Sequence, residues 1–367
     1  MGTEAPYLSG MFRFVARLHT LSKRGMRMAL AGQPKCRYGM LQSLYNLIEQ
    51  HGRDGAIYVS DIARQMHQPM PAISRGLRQM EQDGHIVRET DPKDRRKTLV
   101  RITPAGERAR KANEQAMNDY LKVVTKALEW GIVPRCHFED VTRADIYGFC
   151  LPFARKLMEL SHEASMPIKI RLCDTMGYGV PFPGAALPRS VQRIVRAFTD
   201  EAGVPGAWLE WHGHNDFHKV LVNGVTAWLY GCGGVNGTLM GFGERTGNAP
   251  LEALVIDYIS LTGNDEAADP TVITEIAQYF EKELDYRIPD NYPFAGKDFN
   301  ATSAGVHVDG LAKNEEIYNI FDTSAILGRD VPIIITDKSG RAGVAYWINH
   351  NFRLSAEQAV SKKHPAV

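Results

Sequence analysis

Beyond Gly131 the chain settles into a regular alternation. Strand-like runs at about 133–139, 168–173, 207–212 and 226–232 are separated by helical stretches near 144–164, 187–202 and 216–229. Strands joined by helix-length crossovers do not pair as hairpins; they form a parallel sheet with helices outside it. The strand ends carry polar residues: Glu139 and Asp140, then Asp174 and Thr175, then His212 and His214, with the fourth run leading to Asn236 and Glu244. Polar groups gathered at strand ends predict one site on the carboxyl face of a barrel. His212 and His214 stand two apart on one strand, so both imidazoles project to the same side and can chelate one divalent metal.

The first third of the chain is built for something else. Residues 1–130 hold 22 Lys and Arg against 13 Asp and Glu, and residues 131–367 hold 21 against 29, so the net charge of +1 conceals a basic part and an acidic part. A basic segment suits a polyanion, whereas an acidic one suits small molecules or a metal. Cys36, Cys136, Cys150, Cys173 and Cys232 are scattered, with no C-x-x-C pair. That fits a reducing cytoplasm and argues against a thiolate zinc site. There is no apolar run of about 18 residues and no signal-peptide stretch, so a cytoplasmic protein with no membrane partner is expected.

In the basic part, Ser60 is placed to N-cap a short helix carrying Ile62, Ala63 and Met66, and a turn with Pro69 comes next. A second helix puts Ile73, Leu77 and Met80 on one face and exposes Ser74, Arg75, Arg78 and Gln79 on the other. Ile86–Arg88 and Leu99–Ile102 then alternate as two strands around the charged turn of Asp91, Pro92, Lys93, Asp94, Arg95 and Arg96. Helix, turn, helix, hairpin is the order of a winged helix-turn-helix. Over roughly residues 10–115 the chain resembles the MarR family of transcription regulators, through IARQM, AISRGLRQMEQDGHIVRE, the DPKDRR wing and the ITPAG exit. The resemblance implies a recognition helix across about Met70–Gln82 in the major groove of double-stranded DNA. Ser74, Arg75 and Arg78 would lie on it, with Arg95 and Arg96 at the minor groove or phosphates. It also implies a homodimer held by helices over 10–30 and 105–128.

Thr103 can N-cap a helix with Pro104 at its first position, and Ala109, Ala112, Ala116, Met117, Tyr120, Leu121, Val124 and Leu128 trace an apolar stripe that ends at Gly131. No Gly/Ser/Pro linker intervenes, so this helix, over 104–130, is expected to be shared by a winged-helix domain at 1–115 and by the acidic part of the chain.

In the acidic part CHFEDVTRADIYGF, RLCDTMGYGVPFPGA, WHGHNDFHKVLVNG, GERTGN and SAGVHVDGLAKNEEIYNIFD occur in that order. Over about residues 118–350 they resemble the family of 2-isopropylmalate, homocitrate and Re-type citrate synthases, whose barrel relatives include the hydroxymethylglutaryl-CoA lyases. The resemblance implies an α/β fold in which 131–265 is half of a TIM barrel, strands five to eight, and 266–367 is a small catalytic or lid subdomain. Carried over residue by residue, His212, His214 and Asn248 would hold a divalent metal (Mn, Co, Zn or Mg). Glu139 would act beside the metal and the acetyl methyl group, Arg143 and Thr175 would hold the carboxylates of a 2-oxo acid, and His307 and Tyr318 would be catalytic. The implied reaction is a Claisen condensation of acetyl-CoA with oxaloacetate or 2-oxoglutarate.

Two departures from the family stand out. His218 occupies a position where a glycine is usual. No R-D-G motif ends an apolar strand, and Arg53-Asp54-Gly55 sits on a polar loop of the winged helix. Glu139 and Arg143, four apart, are also spaced to pair with each other. The residues allow two functions: an acyltransferase joined to a DNA-binding module, whose activity is in doubt without the first barrel strands, or a MarR-type regulator carrying an inert or ligand-sensing synthase remnant.

Overall fold

The computed structural model describes residues 38–66, 70–264, 266, 268–302, 307, 310–311, 314–337, 339–365 and 367. The expected helix over 10–30, Cys36 and the Pro69 turn lie outside the described residues. Two compact units are present: Met1–Cys173 with Gly179–Glu210 and Tyr230–Gly234, and Asp174–Tyr178 with Trp211–Leu229 and Val235–Val367.

The first unit opens with α1 (Tyr38–His51), β1 (Ile57–Tyr58), α2 (Val59–Gln65), α3 (Met70–Gln82), β2 (Ile86–Thr90) and β3 (Thr98–Ile102). Both β1 and β2 pair antiparallel with β3. Apolar residues three and four apart on α1 and α3 bring Leu41, Leu44, Ile73, Leu77 and Met80 into one core with Ile57, Ile62, Ile86 and Val100. This is the expected winged helix, with Arg75, Arg78 and Gln79 exposed on the opposite face of α3 and Ser74 half-buried. Ser60 does not cap α2. Tyr58, paired in β1 with Leu99, leads straight into the helix at Val59, so no side chain caps the first turn. The wing is anchored by Asp91, which accepts the Tyr58 hydroxyl at 2.5 Å and the Lys93 amide at 2.7 Å. Arg53-Asp54-Gly55 forms a tight turn closed by Arg53 and Ala56, not the end of a strand.

The long α4 (Pro104–Glu129) starts as its sequence predicts: the Thr103 hydroxyl accepts the Gly106 amide at 3.0 Å and donates to the Gly84 carbonyl at 2.7 Å. Its front packs through Ala109 on the winged-helix core, and its rear buries Val124 and Leu128 and sets Tyr120 against Phe153 at 5.5 Å. The predicted stripe is interrupted in between. Ala112 and Ala116 are exposed, because neither core extends to the middle turns. Arg110, 9% exposed, is buried instead; it stacks on Tyr45 at 4.1 Å and donates to Glu107 at 2.7 Å and Glu114 at 3.0 Å.

After α4 come β4 (Arg135–Phe138), α5 (Leu151–Ala164), β5 (Lys169–Asp174), α6 (Val191–Arg196), β6 (Leu209–Gly213), α7 (Val220–Leu229), β7 (Gly234–Thr238), β8 (Ala249–Pro250) and α8 (Leu251–Thr262). The five strands form one sheet in chain order, with β4 on β5 and β7 on β8 both parallel. In the first unit the buried side of β4 and β5, Cys136, Phe138, Ile170 and Leu172, faces helices, and Phe138 meets Phe153 and Phe198 at ring-centroid distances of 5.8 and 5.1 Å.

The sequence places the fourth strand wrongly. Residues 226–229 belong to α7, whose Leu221, Val225 and Trp228 recur at helical spacing against Leu254, and an apolar helix of that kind reads like a buried strand. The strand itself, Gly-Val-Asn-Gly-Thr at 234–238, has too little β propensity to declare itself. A fifth strand, β8, goes beyond the four that the sequence predicts. With β8 paired to β7, the sheet does not end near Cys232.

In the second unit, α9 (Val272–Glu283), α10 (Thr323–Leu327) and α11 (Arg341–Asn351) come after the sheet. Ala277 and Ile288 form a core with Met240. Glu315 organises the later segment by accepting the Thr323 amide at 3.0 Å and the Asn319 amide group at 2.8 Å.

Candidate functional site

The site in the second unit is built from loops at the ends of β5, β6 and β7. Along β6 burial alternates: Leu209, Trp211 and Gly213 are buried, and Glu210 and His212 project from the opposite face. His214 continues on the side of His212, and the two rings stand 5.1 Å apart between centroids at 84°. His214 is 9% exposed, and its backbone forms a bridge with Asn248.

Each neighbouring loop is locked to this bridge. The Asp174 carbonyl accepts the His214 amide at 3.3 Å, while its carboxylate accepts the Tyr178 amide at 2.8 Å and the Asn223 side chain at 3.4 Å. Asp174 is thus a strand-end acceptor. The Asn215 amide donates to the Gly247 carbonyl, and the Asn248 amide to the Gly241 carbonyl, both at 2.9 Å. Gly247, at φ +89°, is needed because a Cβ there would lie 2.1 Å from the Gly241 oxygen. Arg245 joins the three loops: it donates to the Asp216 carboxylate at 2.8 and 3.1 Å and to the Thr175 carbonyl at 2.5 Å. The Arg245 guanidinium holds the Asp216 carboxyl below the usual carboxylate range. The turn before this loop, with Met240 at φ 54°, is pinned by buried Glu252, which accepts the Met240 amide at 3.0 Å. Burial raises the Glu252 carboxyl.

His214 Nδ1 and Asn248 Oδ1 are buried and have no hydrogen-bond partner among the described residues. A buried acceptor left unsatisfied costs on the order of 1–3 kcal/mol. A neutral imidazole nitrogen and an amide oxygen are both donors to divalent cations, so His212, His214 and Asn248 fit a metal.

His218, at φ 53°, sits in the left-handed region that favours glycine, and it is exposed. His218→Gly is therefore expected to stabilise the protein by about 1 kcal/mol, read as a higher midpoint of thermal unfolding. A lower midpoint would show that the side chain contributes more than its backbone conformation costs.

His307 and Tyr318 are brought together in the second unit, with ring centroids 4.7 Å apart. Glu139 and Arg143 belong to the first unit, and they do not pair with each other. Asp140 takes a left-handed conformation at φ 57°, which breaks the helical spacing and turns Arg143 onto Asp140, with the Nε contact at 2.9 Å and the Nη2 contact at 2.5 Å. Glu139 lies 3.7 Å from His137. On the same polar face Glu210 pairs with Arg171 at 2.6 Å and with Arg135 at 3.5 Å.

Sequence reasoning missed the Arg245–Asp216 pair, Glu252 and the grouping of His137 with Glu139 and Cys173. Arg245 was visible inside GERTGN, but its partner lies 29 residues away and obeys no spacing rule.

An N-terminal winged helix and a parallel α/β sheet with a His-x-His pair at a strand end define a chain of two classes. The MarR family model matches residues 45–98 and the HMGL-like model matches residues 97–279, so the chain has one segment similar to each. Its HMGL-like part is similar to the citrate (Re)-synthase of Syntrophus aciditrophicus strain SB, 63% identical over 253 residues, which are 69% of this chain and 40% of that protein. It is also similar to the citrate (Re)-synthase of Clostridium kluyveri, 53% identical over 68% of this chain and 55% of that protein. The 2-phosphinomethylmalate synthase of Streptomyces hygroscopicus is 35% identical over 66% of this chain and 56% of its own length. The chain spans about half the length of the curated relatives it matches. Among the described residues, no helix is long and apolar enough to cross a membrane.

Proposed function

We propose that residues 131–265, with the subdomain at 266–367, carry the metal-bearing part of a synthase barrel. The reaction is the condensation of acetyl-CoA with a 2-oxo acid, oxaloacetate or 2-oxoglutarate. The observation that carries this reading is the pair of buried acceptors without partners, His214 Nδ1 and Asn248 Oδ1, beside His212. His212, His214 and Asn248 would hold a divalent cation (Mn, Co, Zn or Mg), which when bound supplies Lewis-acid polarisation of the keto acid's carbonyl. Thr175, on a loop fixed by Arg245, orients one substrate carboxylate. Arg143 binds the other in a two-point contact, exchanging Asp140 for substrate. Glu139 takes the proton from the acetyl methyl group, and His307 and Tyr318 act as further catalytic groups.

The sheet supports a barrel segment of five strands, one more than the half barrel of strands five to eight. Parallel sheets are ordinarily covered on both faces. Here β4 and β6 alternate instead, and the face bearing Arg135, His137, Glu210 and His212 is polar and partly exposed. An eight-stranded barrel turns such a face inward. Strands from outside residues 131–265 would close it along the edges of β4 and β8.

The test is release of free CoA from acetyl-CoA with oxaloacetate or 2-oxoglutarate in the presence of each metal. Turnover that stops on chelation is expected. No CoA release with either acid, from a chain that binds metal, would overturn this reading.

A second reading, a MarR-type regulator whose synthase part senses a ligand or is inert, rests on the exposed basic face of α3 and on the wing anchored by Asp91. Ser74, Arg75, Arg78, Arg95 and Arg96 then contact double-stranded DNA as a homodimer, through a domain at 1–115 joined by the helix at 104–130. Arg75→Ala is expected to weaken binding to a palindromic duplex by about 1–3 kcal/mol, measured by fluorescence anisotropy. Affinity should fall steeply with salt, and absence of binding at low salt would remove this function.

A further inference from the structure

The polar face of the first unit holds a set of metal donors that the proposed condensation does not require together. His137 and Glu139 stand two apart on and just beyond β4, and so share one side of the chain. The parallel register that sets Phe138 beside Leu172 carries Glu139 alongside Cys173 at the end of β5. One ligand atom from each of His137, Glu139 and Cys173 lies within 4.8 Å of the others. We propose that these three side chains form a second divalent-cation site, one suited to zinc-class ions.

The donor set decides the class of ion. An imidazole nitrogen, a carboxylate oxygen and a sulfur suit zinc or cobalt, whereas magnesium and calcium call for oxygen donors throughout. Two parallel strands hold the backbone of this group, and the His137 and Glu139 side chains are exposed. Three protein donors leave a fourth tetrahedral position for water. As the metal–sulfur bond forms, the Cys173 Sγ–H proton leaves to solvent and no electron is transferred. Unlike the set of His212, His214 and Asn248, this donor set includes a sulfur. It also explains why the spacing of the cysteines carries no sign of it: a single thiol is completed by two residues from the neighbouring strand.

The intact, metal-stripped chain would be titrated with cobalt(II), tracking the near-ultraviolet absorption of thiolate-to-cobalt charge transfer, and zinc stoichiometry would be measured by equilibrium dialysis. A saturable band is expected. It should be lost in Cys173→Ser together with one bound zinc per chain, and it should persist in His214→Ala. His137→Ala and Glu139→Gln should each lower cobalt affinity by about tenfold or more. No band in the intact chain, or a band that survives Cys173→Ser, overturns the proposal. Should Cys173→Ser fail to fold, unchanged cobalt affinity in both His137→Ala and Glu139→Gln, whose side chains are exposed, overturns it equally.

Discussion

His214→Ala is expected to lower manganese affinity by about 100-fold or more, close to 3 kcal/mol. His214 is one of the three proposed donors and is the most buried of them. Its removal leaves His212 and the Asn248 oxygen, a two-point site with no carboxylate to hold the ion. The fold should survive, since the loops are joined to His214 through its backbone, by the Asp174 carbonyl and the Asn248 bridge. Manganese is the right probe because it favours nitrogen and oxygen donors over thiolate, so the His137–Glu139–Cys173 group contributes little to the signal. Isothermal titration would show the change directly. Equal affinity in the variant and the parent would mean that the unpartnered Nδ1 is not a ligand.

Gly177→Ala should damage both stability and the site. Gly177 sits at φ +62°, and a Cβ there would lie 2.4 Å from the His214 carbonyl oxygen and 3.2 Å from the Asp216 nitrogen. Neither neighbour is a flexible side-chain end. His214 is held by Asp174 and Asn248, and Asp216 by Arg245. The substitution therefore combines a left-handed backbone cost with a main-chain collision, and a loss of about 3 kcal/mol is expected. Denaturant unfolding would measure it, and manganese affinity should fall alongside as His214 is pushed away from Asn248. A stability within about 0.5 kcal/mol of the parent, the range of neutral surface changes, would show that the close approach is relieved at no cost.

Much of the winged helix was legible because its signals are local. The face formed by Ile73, Leu77 and Met80, the Thr103 cap and the wing around Asp91 each arise from residues within a few positions of one another. The barrel part was legible in its order but not in its boundaries. The apolar run through α7 looked like a strand because a short apolar run carries no periodicity that separates the two, and the glycine-rich β7 did not because glycine has little β propensity. The exposed middle of α4 was likewise misread, since an apolar stripe states what can be buried and not what neighbour is present to bury it.

The sequence by itself determined which side chains point the same way: His212 with His214, His137 with Glu139, Arg75 with Arg78. Those relations come from the two-residue and 3.6-residue periods of the backbone, which every chain obeys. Only the tertiary structure decided which of these groups meet. Arg245 reaches Asp216 and Thr175, Gly177 passes under His214, Asn248 bridges His214, and Cys173 comes alongside Glu139. Each of these encounters depends on strand order, register and the path of a connecting loop, which are settled by the packing of the whole sheet and leave no mark in the local pattern.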